Sequence, residues 1–110
     1  MKSVLVPLVI VLFLISTVPA SMAADATAGK EIYTKKCASC HGAAGEGKAA
    51  VAKQLKVELK HLGSKEVQAR SDAELQNVIV KGERKMKAVT GVDAKGAEDA
   101  VAYMRTFAKK

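Results

Sequence analysis

Residues 37–41 read Cys-Ala-Ser-Cys-His, and Cys37 and Cys40 are the two cysteines of the whole chain. Two thiols at this spacing, with a histidine directly after them, have four established uses, and each demands different surroundings. A structural zinc site takes four nitrogen or sulfur ligands, usually from two paired elements, whereas beyond this segment the chain offers only His61. A thioredoxin-like dithiol sits in a βαβ setting, and no stretch here alternates apolar and polar residues as a half-buried strand does. A disulfide across two residues closes a very small loop and constrains the unfolded chain little. The fourth use is covalent haem attachment, of which C-x-x-C-H is the short signature. There the sulfurs of Cys37 and Cys40 bind the porphyrin as thioethers, and the adjacent His41 is held beneath the iron.

The size of the chain favours the fourth use. Residues 4–15 form an uncharged apolar run of 12, preceded by Lys2 and followed by Pro19 and the small residues Ala20, Ser21, Ala23 and Ala24. That run is too short for a membrane span and suits the core of a cleaved secretory signal. Cleavage is expected after Ala23, giving a leader over 1–23 and a domain over 24–110. No twin arginine and no cysteine at the cleavage point are present, so the Sec route without a lipid anchor is expected. The remaining 87 of 110 residues hold no tryptophan, and a core that small needs a staple. A covalent haem is a large apolar insert, and its attachment takes place outside the cytoplasm. Removing Lys2 from 18 basic residues leaves 17 against 11 acidic ones, a net charge of +6. Such a surface suits an acidic protein partner; an exported protein rarely meets nucleic acid. No feature calls for an obligate interface, so a monomer is expected.

Capping and periodicity predict helices and no sheet. The first begins at Asp25 or Thr27, either of which can cap it, and runs to Cys37 with Gly29 and Tyr33 on the face that leads to the motif. Residues 48–59 are compatible with a short helix, and 60–70 read as a loop. Ser71 and Glu74 form a capping-box pattern for a helix striped by Leu75, Val78 and Ile79, which Gly82 ends. The last helix starts at Asp93 and runs to the C-terminus, with Ala97, Ala100, Val101, Met104, Phe107 and Ala108 in register.

Met86 stands apart in the basic, helix-poor segment 82–92. A methionine outside any apolar stripe can supply a thioether sulfur to the second face of a haem, and His/Met ligation raises the reduction potential. Met104 lies on the stripe of the last helix, where methionine is ordinary core filler. His61 would give bis-histidine ligation, but its loop setting suits a solvated or loosely packed side chain.

With GKEIYTKKCASCHG near its start, a loop methionine and VAYMRTF near its end, the chain resembles the small single-haem class I cytochromes c of bacteria over nearly all of 25–108. The resemblance implies an all-α fold of three to four helices around one covalent haem c. It implies that Cys37 and Cys40 are the thioether anchors and that His41 and Met86 are the axial ligands of the iron. It places Gly29 and Tyr33 against Tyr103 where the terminal helices cross. The implied function is single-electron transfer between redox proteins in the periplasm, not enzymatic catalysis, with Lys35, Lys36, Lys48, Lys85 and Lys87 facing an acidic partner. One departure is that Lys87 stands where the family places proline after its methionine. It keeps open an alternative: a haem protein with an open or labile distal site that binds peroxide or gases.

Overall fold

The computed structural model describes residues 23–108. The leader expected over 1–23 therefore lies, Ala23 apart, outside the described residues. Six helical segments follow in order: α1 (Ala26–Lys36), α2 (Ala38–His41), α3 (Ala49–Leu55), α4 (Lys65–Gln68), α5 (Asp72–Lys81) and α6 (Ala94–Arg105). Among the described residues the only β pairing is an isolated bridge between Glu83 and Met86. The all-α expectation holds, with two one-turn helices, α2 and α4, added to those the sequence predicts.

Local chemistry explains the boundaries. Asp25 rather than Thr27 caps α1, its carboxylate accepting from the Thr27 and Ala28 N–H groups at 2.9 and 3.2 Å. Ser71 caps α5 by accepting from Glu74 N–H at 3.2 Å. Only half of the capping box forms: the Glu74 carboxylate meets the Ser71 hydroxyl and Arg70 instead of returning to the backbone. Asp93 caps α6 through Gly96 N–H at 2.7 Å. The segment expected as a loop over 60–70 contains α4 because Ser64 caps it, taking Val67 N–H. α6 stops at Arg105 instead of continuing to the end, and a turn carries Phe107 back under the helix.

α1 crosses α6, and α5 packs beside α6. The α5–α6 seam buries Leu75, Ile79, Ala97, Ala100, Val101 and Met104, so Met104 is core as its register predicts. At the α1–α6 crossing a Cβ on Gly29 would run into Asp99 O and lie 2.5 Å from Asp99 C and 3.1 Å from Ala100 N, so its nearest neighbours are the α6 backbone one turn before Tyr103. Tyr33, one turn on, does meet Tyr103, with ring centroids 5.5 Å apart. Phe107 closes an edge-to-face triad at 5.1 Å from each, a geometry aromatic quadrupoles favour.

At the other end of this crossing Asp99 is buried. Its Oδ1 accepts from the Asp25 backbone N–H at 2.8 Å and from Lys95 Nζ at 2.8 Å. Both bonds favour the ionised form and hold its pKa below the usual aspartate value. The start of α1 is thus fastened to the middle of α6.

Candidate haem site

The two cysteines lie at a joint between helices. Cys37 is at once the C-cap of α1 and the N-cap of α2, and Cys40 and His41 close the single turn of α2. Hydrogen bonds from Cys40 and His41 N–H to Cys37 O make that turn. The two thiols are unpaired and half-buried. Burial pushes the Cys37 thiol up to about 11, the opposite of the depressed value that marks a redox-active thiolate. Among the described residues no three of His, Cys, Asp and Glu converge as a metal site, so His61 does not join the motif as a zinc ligand. It is half-buried in its own loop, where Nδ1 accepts from Gly63 N–H at 2.9 Å.

His41 is the unusual member. Burial lowers its pKa, which keeps the imidazole neutral. Its Nδ1 is buried without any hydrogen-bond partner. Buried polar atoms are nearly always satisfied, so an orphan in a metal-ligating side chain marks a site built for something besides protein.

The chain leaving α2 folds back sharply. Gly47 N–H donates to His41 O at 2.6 Å and Lys48 N–H to Cys40 O at 2.9 Å, satisfying two carbonyls at the end of the turn. Gly42 has φ +82°, a left-handed conformation that favours glycine directly after the histidine, and the movable carboxylate of Glu46 lies against it. Glu46 is exposed and accepts from Ala44 N–H at 2.9 Å; backbone N–H donors lower its pKa. The Tyr33 hydroxyl, buried, donates to Gly42 O at 2.6 Å and ties this return to α1. Burial raises the Tyr33 pKa far above the usual phenol value, so it remains a donor. Sequence reasoning overlooks Gly42 and Glu46; the Gly42-x-x-x-Glu46 spacing gives no signal until the chain folds back.

Met86 sits in a separate element. Glu83 and Met86 exchange both backbone hydrogen bonds at 2.9 Å, closing a two-residue turn over Arg84 and Lys85. Arg84 adopts φ +51°, a conformation that usually falls to glycine. After the turn, Val89 N–H reaches Ile79 O at 2.8 Å and rejoins the core. The Met86 side chain is half-buried. No hydrogen bond among the described residues joins this turn to α2. The structure therefore assembles Cys37, Cys40 and His41 into one turn and leaves Met86 on its own platform.

These residues fit a covalently held haem. Two free thiols stand at one helical turn, followed by a neutral imidazole with an unsatisfied buried nitrogen. The fully buried apolar core is small, while many apolar side chains, including Val51, Val57, Leu59, Val78 and Met86, are only half-buried. A large apolar group has surface to cover.

Residues 24–104 match the family model described as cytochrome c oxidase, cbb3-type, subunit III. The chain belongs to that family. Among solved structures it is similar to the KustC0563 c-type cytochrome at 24% sequence identity and a TM-score of 0.62, covering 74% of this chain and 98% of that one. That likeness is one of fold. No curated protein matches the sequence. Family and fold together describe a small cytochrome c with the class I arrangement. A c-type cytochrome carries covalently bound haem c. Haem-based electron transfer is the chemistry that the family supports. No helix among the described residues is long and apolar enough to cross a membrane.

Proposed function

We propose that this cytochrome is an exported single-electron carrier of the bacterial periplasm, with one haem c anchored by Cys37 and Cys40 and ligated by His41 and Met86. The observation that carries the reading is the His41 imidazole, neutral, buried and unsatisfied at Nδ1, on the same turn as two free thiols. A bound haem supplies one-electron exchange at its iron. The protein's part is to hold two fixed axial donors, so that oxidation and reduction need little rearrangement. His41 provides one from a turn braced by Tyr33 and Gly47. Met86 provides the other, and its thioether raises the potential relative to a second histidine.

Lys35, Lys36, Lys48, Lys85 and Lys87 are all exposed and flank these two segments in sequence. No carboxylate forms an ion pair with any of them; the pairs among the described residues use Lys60, Arg70, Lys95 and Arg105. This leaves a cationic surface for an acidic redox partner.

The test is the mass and spectrum of the purified protein. One covalent haem on a chain lacking its leader, with a far-red sulfur-to-iron band in the oxidised form that Met86→Leu removes, is the expected result. Absence of the band in the unaltered protein, with carbon monoxide binding rapidly to the reduced form, would replace the carrier by a gas- or peroxide-binding haem protein. A rate of electron transfer to an acidic partner that ignores ionic strength would remove the lysine surface from the proposal.

A further inference from the structure

The Met86 turn lacks the usual means of staying put. Its first central residue, Arg84, is a non-glycine with φ +51°. Lys87, directly after Met86, is exposed and has no ring to fix φ. Gly82, on the other side, has φ +80°, and a Cβ there would lie 2.6 Å from Met86 O and 2.8 Å from Ala88 N. The paired Glu83–Met86 backbone bonds close this turn on itself but fasten it to no other element.

Two side chains hold it from outside. Arg70 Nη1 and Nη2 donate to Glu83 Oε2 and Oε1, both at 3.0 Å, a fork-to-fork pair across 13 residues. Parallel paired bonds of this kind fix orientation as well as distance. Lys85 Nζ donates to Leu55 O at 2.8 Å, at the C-terminal end of α3. Glu83 opens the turn and Lys85 lies within it, so it is fastened at two points to two different segments.

The anchor behind Arg70 is itself fixed. Arg105 of α6 donates through Nη2 to Arg70 O at 2.8 Å and through Nη1 to Gln68 O at 2.9 Å, and it grips Asp72 Oδ1 at 2.7 Å. Residues 68–72 are thereby nailed to the last helix. From there Arg70 reaches out to Glu83.

We infer that the Arg70–Glu83 pair is a positioning device for Met86, carrying the fixed position of α6 through Arg105 and the 68–72 link to the turn that presents the methionine sulfur. The inference rests on the reading of Met86 as an axial ligand. The side chains of Arg70 and Glu83 bond each other and act on the sulfur through the turn that carries it. They narrow the conformations of the turn and so raise the fraction of time in which the sulfur is in place against a competing ligand.

The experiment titrates the oxidised holoprotein with imidazole, which competes for the position of the methionine sulfur, while following the far-red band. Glu83→Gln and Arg70→Met are each expected to bind imidazole about fivefold more tightly, equivalent to about 1 kcal/mol, the upper range for a partly exposed ion pair. Glu74→Gln, which removes the neighbouring i,i+4 partner of Arg70 but not the tether, leaves the affinity within about twofold. The exchanged pair Arg70→Glu with Glu83→Arg restores most of the loss, an outcome that general destabilisation would not give. If Glu83→Gln and Arg70→Met bind imidazole like the unaltered protein while Met86→Leu abolishes the band, the tether is wrong and the ligand assignment stands. If Met86→Leu leaves the band intact, both are wrong.

Discussion

Replacing Gly29 by alanine tests the architecture most directly, because the site hangs from the crossing of α1 and α6. A Cβ at this position would lie 2.5 Å from Asp99 C and 3.1 Å from Ala100 N, against ordinary contact at 3.4 Å or more. The nearest obstacle is Asp99 O, so relief requires the helices to part by well over an ångström, since this is helix backbone and not a flexible side chain. That movement opens the Tyr33–Tyr103–Phe107 triad and loosens the bond of Asp25 N–H to Asp99. Overpacking a tight core costs about 1–3 kcal/mol and occasionally more. With backbone on the far side, the upper end applies, and the better helix propensity of alanine offsets about 1 kcal/mol. The expected net loss is about 2 kcal/mol, or on the order of 10 °C in Tm for a domain of this size. Gly96→Ala is the matched comparison. A Cβ there would meet Val92 Cγ1 at 3.1 Å, Asp93 Oδ1 at 3.2 Å and Ile32 Cδ1 at 3.3 Å, all of them side-chain atoms that can give way. Its propensity gain of about 1 kcal/mol and its crowding nearly cancel. Thermal unfolding of both holoprotein variants decides the matter. Equal Tm values for Gly29→Ala and Gly96→Ala would refute the close backbone crossing.

Three further outcomes follow from particular contacts. Tyr33→Phe leaves Gly42 O without its buried donor and should cost about 1–3 kcal/mol in thermal unfolding, while the aromatic triad persists. Ser71→Ala removes the α5 cap and should cost about 1 kcal/mol, measurable by denaturant titration. For Asp99 the sign follows from linkage: its folded-state pKa is depressed by Asp25 N–H and Lys95. Its contribution is complete above the ordinary aspartate pKa and is lost as pH falls through the lowered folded value. Asp99→Asn should therefore flatten the acid limb of a Tm-against-pH curve; an unchanged limb would show that Asp99 does not carry it.

The turn that carries both cysteines and His41 was legible in five residues, and Met86 stood out because a methionine in a lysine-rich loop fits no core register. What holds these groups was not legible. The return after His41 turns on the left-handed φ of Gly42 and brings Glu46 against it, and the Met86 turn is held by Arg70, 13 residues before Glu83. Neither pair belongs to a repeating pattern.

The sequence alone determined the elements whose causes lie within a turn or two of the chain. Asp25, Ser71 and Asp93 satisfy N–H groups two or three residues away, and the α6 stripe recurs at the helix's own period. The cysteines and the histidine act as neighbours in one turn. Tertiary structure alone decided which groups separated along the chain would meet: Gly29 with the backbone of Asp99, Asp25 N–H with the Asp99 carboxylate across 74 residues, and Lys85 with the end of α3 across 30. Such contacts are chosen by packing, which depends on the shapes of all the elements together, and no local pattern in the chain encodes them.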